Sequence, residues 1–377
     1  MALRRVNIKP PLEVVVDNLK ERMYFMYYTN YNLKTLRRVF DQDSRNQYLR
    51  LDLNENPGGL PKEFVESVLK EITPQLIAEY PETSDLIHVL ARNINAEDKN
   101  ICLTNGSAEA IRYIIEAFTS VNGKILGVVP TYAMYEVYSN MYGRNFESIP
   151  YTKELKMPIE KIIEKMTTEV QLLILLNPNN PMGNIYSVQE FEQILEYAKK
   201  MEITILIDEA YHYFYPETFI RYALEEEHVF LTRTFSKMFS MAGVRLGYVV
   251  GKKDGIEMIQ KLCTPHNINI FAKLFAKRIL EQPELVQKLI DNHKEGRNYL
   301  LYELENNGYE YYGQTGNFIF IKPKHNAIDL VKKMKEEKQI LIKSYNNVGK
   351  YGDCLRVTTG EKKYMEQFLE ALFELDR

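Results

Sequence analysis

From residue 51 onward, short apolar runs end one after another in turn-forming residues, and several are separated by segments with apolar residues three and four apart. The runs 101–103, 125–129, 170–176, 204–207, 229–231 and 246–250 stop at Thr104-Asn105-Gly106-Ser107, Pro130, Asn177-Pro178, Asp208-Glu209, Thr232 and Gly251 respectively. Runs this uniformly apolar suit strands buried on both faces, and helices between them, such as 188–200, imply a largely parallel sheet. The class is therefore α/β. In such sheets ligands bind at the carboxyl ends of the strands, and the unusual polar residues of this chain collect at those ends.

After about residue 270 the rhythm changes. A long helical stretch over 272–306 leads to a strand at 317–321, a helix over 327–338, strands at 340–343 and 355–358, and a closing helix over 363–375. This reads as a smaller α+β domain. The expected division is an N-terminal arm over 1–50, a large domain over 51–270 and a small one over 271–377. A chain of 377 residues has room for two cores.

Composition narrows the function. A formal net charge of −3 gives no reason to expect bulk binding to nucleic acid or anionic lipid. Cys102, Cys263 and Cys354 are too few and too far apart for a disulfide framework or a cysteine-rich metal site. No apolar run is long enough to span a bilayer, and residues 1–11 lack the apolar core of a signal peptide, so a cytoplasmic location is expected. In the first 50 residues Tyr24, Phe25, Tyr27, Tyr28 and Tyr31 crowd together, followed by Arg37, Arg38 and Arg45. Without a nucleic-acid motif, this segment is expected to be an arm that packs on its own domain or on a partner subunit.

Lys237 stands in Thr234-Phe235-Ser236-Lys237, just beyond an apolar run, and Arg245 follows one turn-rich segment later. An amine that can condense with a carbonyl, beside groups suited to a phosphate, is what pyridoxal phosphate needs, although a lysine after a strand can also be a plain surface residue. Asp208 ends another buried run. A carboxylate there needs a partner, either an N–H at a helix start or the ring nitrogen of a cofactor. Tyr211, three residues on, can donate to a ring oxygen or simply pack. Asn177-Pro178-Asn179-Asn180-Pro181-Met182-Gly183 makes a stiff turn that holds side-chain amides in place, and Asn180 is suited to a phenolate oxygen. Thr104-Asn105-Gly106-Ser107-Ala108 passes from strand to helix through a glycine, leaving free N–H groups for an anion. Tyr132, after Pro130-Thr131, is placed either to stack on a planar ring or to fill the core. Arg356 lies in an apolar strand and calls for a substrate carboxylate or an internal acid as partner.

Together these strings resemble the fold-type I pyridoxal-phosphate enzymes, and within them the histidinol-phosphate aminotransferase branch of the class I/II aminotransferases, from about residue 51 to the end. The resemblance implies a three-layer fold with a large, mainly parallel seven-stranded sheet, pyridoxal 5′-phosphate as cofactor, and a homodimer. By the same resemblance, Lys237 is the lysine that binds the cofactor and acts as catalyst, and Asp208 is the ring-nitrogen partner. Asn180 and Tyr211 bind the ring oxygen and Tyr132 stacks on the ring. Gly106, Ser107, Ala108, Thr234, Ser236 and Arg245 form the phosphate cradle, and Tyr80 reaches the neighbouring subunit's cofactor. Asn54 lines the substrate entrance and Arg356 holds the donor's α-carboxylate. Lys343 stands where relatives often carry an arginine for the substrate phosphate, and Met182 where they have threonine. The implied reaction moves an amino group from a glutamate-like donor to a small phosphorylated carbonyl compound. The alternative is decarboxylation of a phosphorylated amino acid, as in the threonine-phosphate decarboxylases, which share the fold and most of the motifs.

Overall fold

The computed structural model describes residues 29–36, 44–313 and 315–377. Tyr24, Phe25, Tyr27, Tyr28, Arg37 and Arg38 of the arm lie outside them. The main sheet contains β1 (Ile101–Thr104), β2 (Lys124–Val129), β3 (Asn145–Pro150), β4 (Val170–Leu176), β5 (Thr204–Asp208), β6 (Val229–Thr234) and β7 (Gly247–Val250). Its seven strands run in the order β1-β7-β6-β5-β4-β2-β3. All neighbours are parallel except β7, which is antiparallel to both β1 and β6.

Successive residues of the central strands feed two separate cores. Leu173, Leu175, Ile205 and Ile207 face one side, and Leu172, Ile174, Leu176 and Leu206 face the other. Helix α1 (Ser107–Phe118) covers the second face through Ile111, Ile114 and Ile115. Helix α2 (Val188–Met201) covers the first through Phe191, Ile194 and Ala198. The α2 start is set by Ser187, whose hydroxyl accepts from Glu190 N–H while the Glu190 carboxylate accepts from Ser187 N–H, a reciprocal capping box. A sheet sandwiched between helix layers follows directly from strands that are apolar on both faces.

One strand was invisible to the apolar pattern. Asn145–Pro150 is an edge strand with only Ile149 buried, so its sequence, Asn-Phe-Glu-Ser-Ile-Pro, carries no apolar run. The helical stretch over 272–306 is two helices, α3 (Ile270–Leu280) and α4 (Pro283–Asn306). Pro283 has no N–H to continue the first helix and opens the second. The run at 340–343 is likewise two pairings. Leu49–Arg50 runs parallel to Ile340–Leu341, while Lys343 begins a strand of the C-terminal sheet.

That C-terminal sheet consists of β8 (Tyr311–Tyr312), β9 (Phe318–Ile321), β10 (Lys343–Tyr345) and β11 (Cys354–Thr358), all antiparallel, in the order β10-β11-β9-β8. A third core beneath it gathers Leu300, Leu304, Ile319, Ile321, Leu355, Phe368 and Leu372. Leu51 also lies in this core. The chain therefore passes along the C-terminal layer at 49–51 before entering the main sheet. This packing and the pairing of Leu49–Arg50 with Ile340–Leu341 tie residues 49–51 to the C-terminal layer.

Candidate active site

The carboxyl ends of β4, β5 and β6 and the start of α1 open onto one cavity of about 410 Å³. Asn54, Ser107, Ala108, Tyr132, Asn180, Asp208, Tyr211, Thr234, Ser236, Lys237, Arg245, Lys343 and Arg356 all line it. Residues some 300 positions apart in sequence thus meet at one place. Gly106 stands just behind the wall, and Tyr80 is elsewhere on the surface.

At one end is an anion cradle. Helix α1 begins at Ser107, and Gly106 before it adopts φ 81°, a region open to glycine and strained for other residues. A Cβ at 106 would sit 2.5 Å from Arg245 Nη2 and would push that guanidinium from its place. Gly247 has an equally tight place, opposite both Thr104 and Thr234 in the two ladders. A Cβ there would meet Ser107 N at 2.5 Å. Across the cradle, Thr234 Oγ1 donates to Ser236 Oγ (3.0 Å), and Arg245 Nη1 donates to the same hydroxyl (3.4 Å) and to Ala242 O (3.0 Å). Free N–H groups at a helix start, two hydroxyls and one guanidinium converge, which is the chemistry of a phosphate site.

The cavity floor is Asp208, 2 % exposed. Its Oδ2 accepts from Tyr135 Oη (2.7 Å), and its Oδ1 from Thr232 Oγ1 (3.1 Å) and Ala210 N–H (3.1 Å). Burial lifts its pKa from 3.8 to about 6, against the lowering effect of these three bonds. A carboxylate kept in so dry a place has a strong preference for a cationic partner. Tyr132 makes an edge contact with Tyr135, their ring centroids 5.6 Å apart.

Lys237 lies at the centre, half-buried, and its Nζ donates to Leu53 O at 3.0 Å. Burial first, and then the positive charge of Arg356, hold its amine down at about 8 rather than 10.5. Tyr211 is 5.8 Å from that amine, measured to the ring centre. Its hydroxyl accepts from Asn54 Nδ2 (2.9 Å), and burial pushes its pKa up to about 12. Asn54 Nδ2 also donates to Asn180 Oδ1 (3.3 Å), and its own backbone N–H is held by Thr358 Oγ1 (3.1 Å). The Asn180 turn is gripped from the other layer, where Thr315 Oγ1 donates to Gly183 O (2.8 Å).

Opposite the cradle, β10 and β11 place Lys343 and Arg356 directly across from each other. Arg356 is 4 % exposed. Its Nη1 donates to Asn180 Oδ1 (3.0 Å) and Tyr345 Oη (3.3 Å), and its Nη2 to Asp52 O. Its Nε is buried with no hydrogen-bond partner among the described residues. Among the described residues its partners are these neutral oxygens and no carboxylate is paired with it.

Tyr80 is 78 % exposed and stacks on His266 with centroids 4.6 Å apart. It makes no contact with this cavity. Sequence reasoning also missed residues that shape the site. Tyr135 and Thr232 hold Asp208, Tyr345 holds Arg356, and the carbonyls of Asp52 and Leu53 hold Arg356 and Lys237. Tyr135, one helical turn beyond Tyr132, was the only one with a usable signal; backbone carbonyls have none.

A model of the aminotransferase class I and II family matches residues 46–372. The histidinol-phosphate aminotransferase of Caldanaerobacter subterraneus subsp. tengcongensis is 29% identical over 337 residues, covering 86% of this chain and 92% of that protein. The solved histidinol-phosphate aminotransferase from Clostridium acetobutylicum superimposes with a TM-score of 0.78 at 27% identity, over 87% of this chain and 99% of that one. The Sinorhizobium meliloti enzyme of the same name, solved in complex with pyridoxal-5′-phosphate, shares the fold with a TM-score of 0.84 at 18% identity, over 94% and 99%. With the family match spanning both layers and the cavity between them, the chain belongs to the aminotransferase class I and II family.

Proposed function

We propose that the chain is a pyridoxal-phosphate-dependent aminotransferase moving an amino group from a glutamate-like donor to a small phosphorylated carbonyl compound. The observation that carries this reading is the set of groups that line one cavity: anion cradle, buried acid, half-buried amine and two further cations. The cofactor fits that set. Gly106, Ser107, Ala108, Thr234, Ser236 and Arg245 would hold its phosphate, and a side chain at 106 would press on the Arg245 guanidinium. Asp208 would pair with the ring nitrogen, Asn180 and Tyr211 with the ring oxygen, and Tyr132 with the ring face. When bound, the cofactor supplies the electron sink for the bond broken at the substrate's Cα.

The chain's own residues do the rest. Lys237, with an amine held near 8, would hold the cofactor and would carry the proton at the substrate's Cα. Asp208 keeps the ring nitrogen protonated. The planar Arg356 guanidinium, oriented by Asn180, Tyr345 and Asp52 O, takes the α-carboxylate with its free Nε side. Lys343 meets the second anionic group of the substrate. The test is a half-reaction comparison. Lys343→Ala should raise KM for a phosphorylated acceptor by about 10-fold to 100-fold, the worth of one charge-assisted hydrogen bond. The glutamate half-reaction should be spared, and an equal loss in both halves would make Lys343 structural. Carbon dioxide release from a phosphorylated amino acid, without net amino transfer, would move the reading to decarboxylation.

We also propose a homodimer, supported by an exposed apolar group around Tyr80. Ile77, three residues before Tyr80, is 61 % exposed. If Tyr80 serves the neighbouring subunit, mixing Tyr80→Ala with Lys237→Ala should form hybrid dimers with one intact site. Activity above that of Tyr80→Ala alone is expected. No gain on mixing, with hybrids shown to form, would remove Tyr80 from the partner's site.

A further inference from the structure

Among the described residues, Cys102 and Cys263, 161 positions apart, bring their Sγ atoms to 3.5 Å. Cys102 is on β1 and 3 % exposed, while Cys263 is half-buried just beyond the helix Lys253–Gln260. Cys354 is buried in β11 and remote from both in the fold. A disulfide needs its sulfurs about 2.05 Å apart, so closure asks for a movement of about 1.5 Å.

What that movement would disturb is visible in the segment that follows. His266 adopts φ 52° and carries the stack on Tyr80. Asn267 Nδ2 donates to Leu103 O (3.1 Å) and Glu109 Oε2 (3.4 Å), and the same Glu109 oxygen accepts from Asn105 N–H (2.7 Å). Asn269 Nδ2 donates to Val244 O (3.2 Å), next to Arg245. Residues 264–269 thus tie together both strings of the anion cradle and Tyr80.

We propose that Cys102 and Cys263 form a reversible disulfide, and that closing it shifts residues 264–269 and weakens the cradle's hold on a phosphate. The thiol chemistry stands independently of the proposed function; the effect on the cradle rests on that reading. The half-buried Cys263 is the attacking sulfur. The hydrogen bond it shares with Cys102 lowers the Cys263 pKa. The Cys263 thiolate attacks one sulfur of glutathione disulfide and one glutathione thiolate leaves. Cys102, losing its proton to solvent, then attacks the Cys263 sulfur and expels the second glutathione. Two protein thiols are oxidised and one glutathione disulfide is reduced to two glutathiones.

The holoenzyme is treated with glutathione disulfide, and its thiols are counted after denaturation. The count should fall from three to one, the chain having three cysteines, and the chain should lose the mass of two hydrogen atoms, with one cross-linked peptide pair containing 102 and 263. Retained pyridoxal phosphate after dialysis and transaminase activity should both fall, and dithiothreitol should restore both. Cys263→Ser, at a half-exposed site outside the catalytic machinery, should keep basal activity and resist the oxidant. Three thiols remaining, or a glutathione adduct on Cys263 that never resolves, would overturn the pairing. A disulfide that forms while cofactor retention stays unchanged would overturn the link to the cradle. If activity is absent before and after treatment but the disulfide still forms, the failure lies with the proposed function.

Discussion

Lys237→Ala is expected to reduce turnover by at least about a thousandfold, since one side chain would supply both the attachment point and the proton carrier. The fold should survive, because among the described residues the amine makes one hydrogen bond, to Leu53 O. The cradle residues are untouched, so the variant should still retain pyridoxal phosphate without a covalent bond. Cofactor retention with no turnover is the expected pair of results, and substantial turnover would refute the assignment. The lowered amine also predicts a pH dependence. With a pKa of about 8, roughly one chain in ten carries the neutral amine at pH 7. In the cofactor-free protein, Lys237 should capture an aldehyde faster as pH rises toward about 8 and level off above it. Reductive trapping with borohydride at a series of pH values measures this, and a rate still climbing past pH 10 would contradict it.

Asp208→Asn should lower kcat by on the order of a hundredfold, the usual cost of losing a preorganised charge beside the reacting group. Its stability effect should run the other way. Burial raises this carboxyl from 3.8 to about 6, so the folded, cofactor-free protein disfavours the charged form. The stabilising contribution is therefore present below pH 4 and is lost as pH rises through about 6, a change of about 3 kcal/mol. Asparagine has no such titration. At pH 8 the cofactor-free variant should melt above the parent, and the gap should close as pH falls below about 4. A variant that is fully active, or that melts lower than its parent at pH 8, would remove Asp208 from this role.

Much of this site could be read from residues in sequence because chemistry concentrates at strand ends. Asp208 follows an apolar run directly and Asn180 and Ser107 stand in the turns that end two others, and a polar residue in such a position has few neighbours to satisfy it. Arg356 was legible for a related reason, as a charge inside an apolar strand. The apolar pattern failed where burial is slight or backbone does the work. The edge strand Asn145–Pro150 buries one residue and leaves no pattern. The split at Pro283 was written in the sequence but was overridden by helical periodicity on both sides.

The sequence by itself determined the α/β alternation and the polar residues waiting at the strand ends, while the assignment of those residues to one cofactor is what the family resemblance implies. It could do so because burial and periodicity are local properties that each segment carries alone. Only the tertiary structure decided that β7 runs antiparallel between β1 and β6, which brings Gly247 against the Gly106-Ser107 turn and closes the cradle. It also decided that Asp52, Leu53 and Asn54 would hold Arg356, Lys237 and Tyr211. Those contacts join positions up to 304 apart, and two of them use carbonyl oxygens that every residue possesses. Their meaning comes from where the chain returns, which no local pattern records.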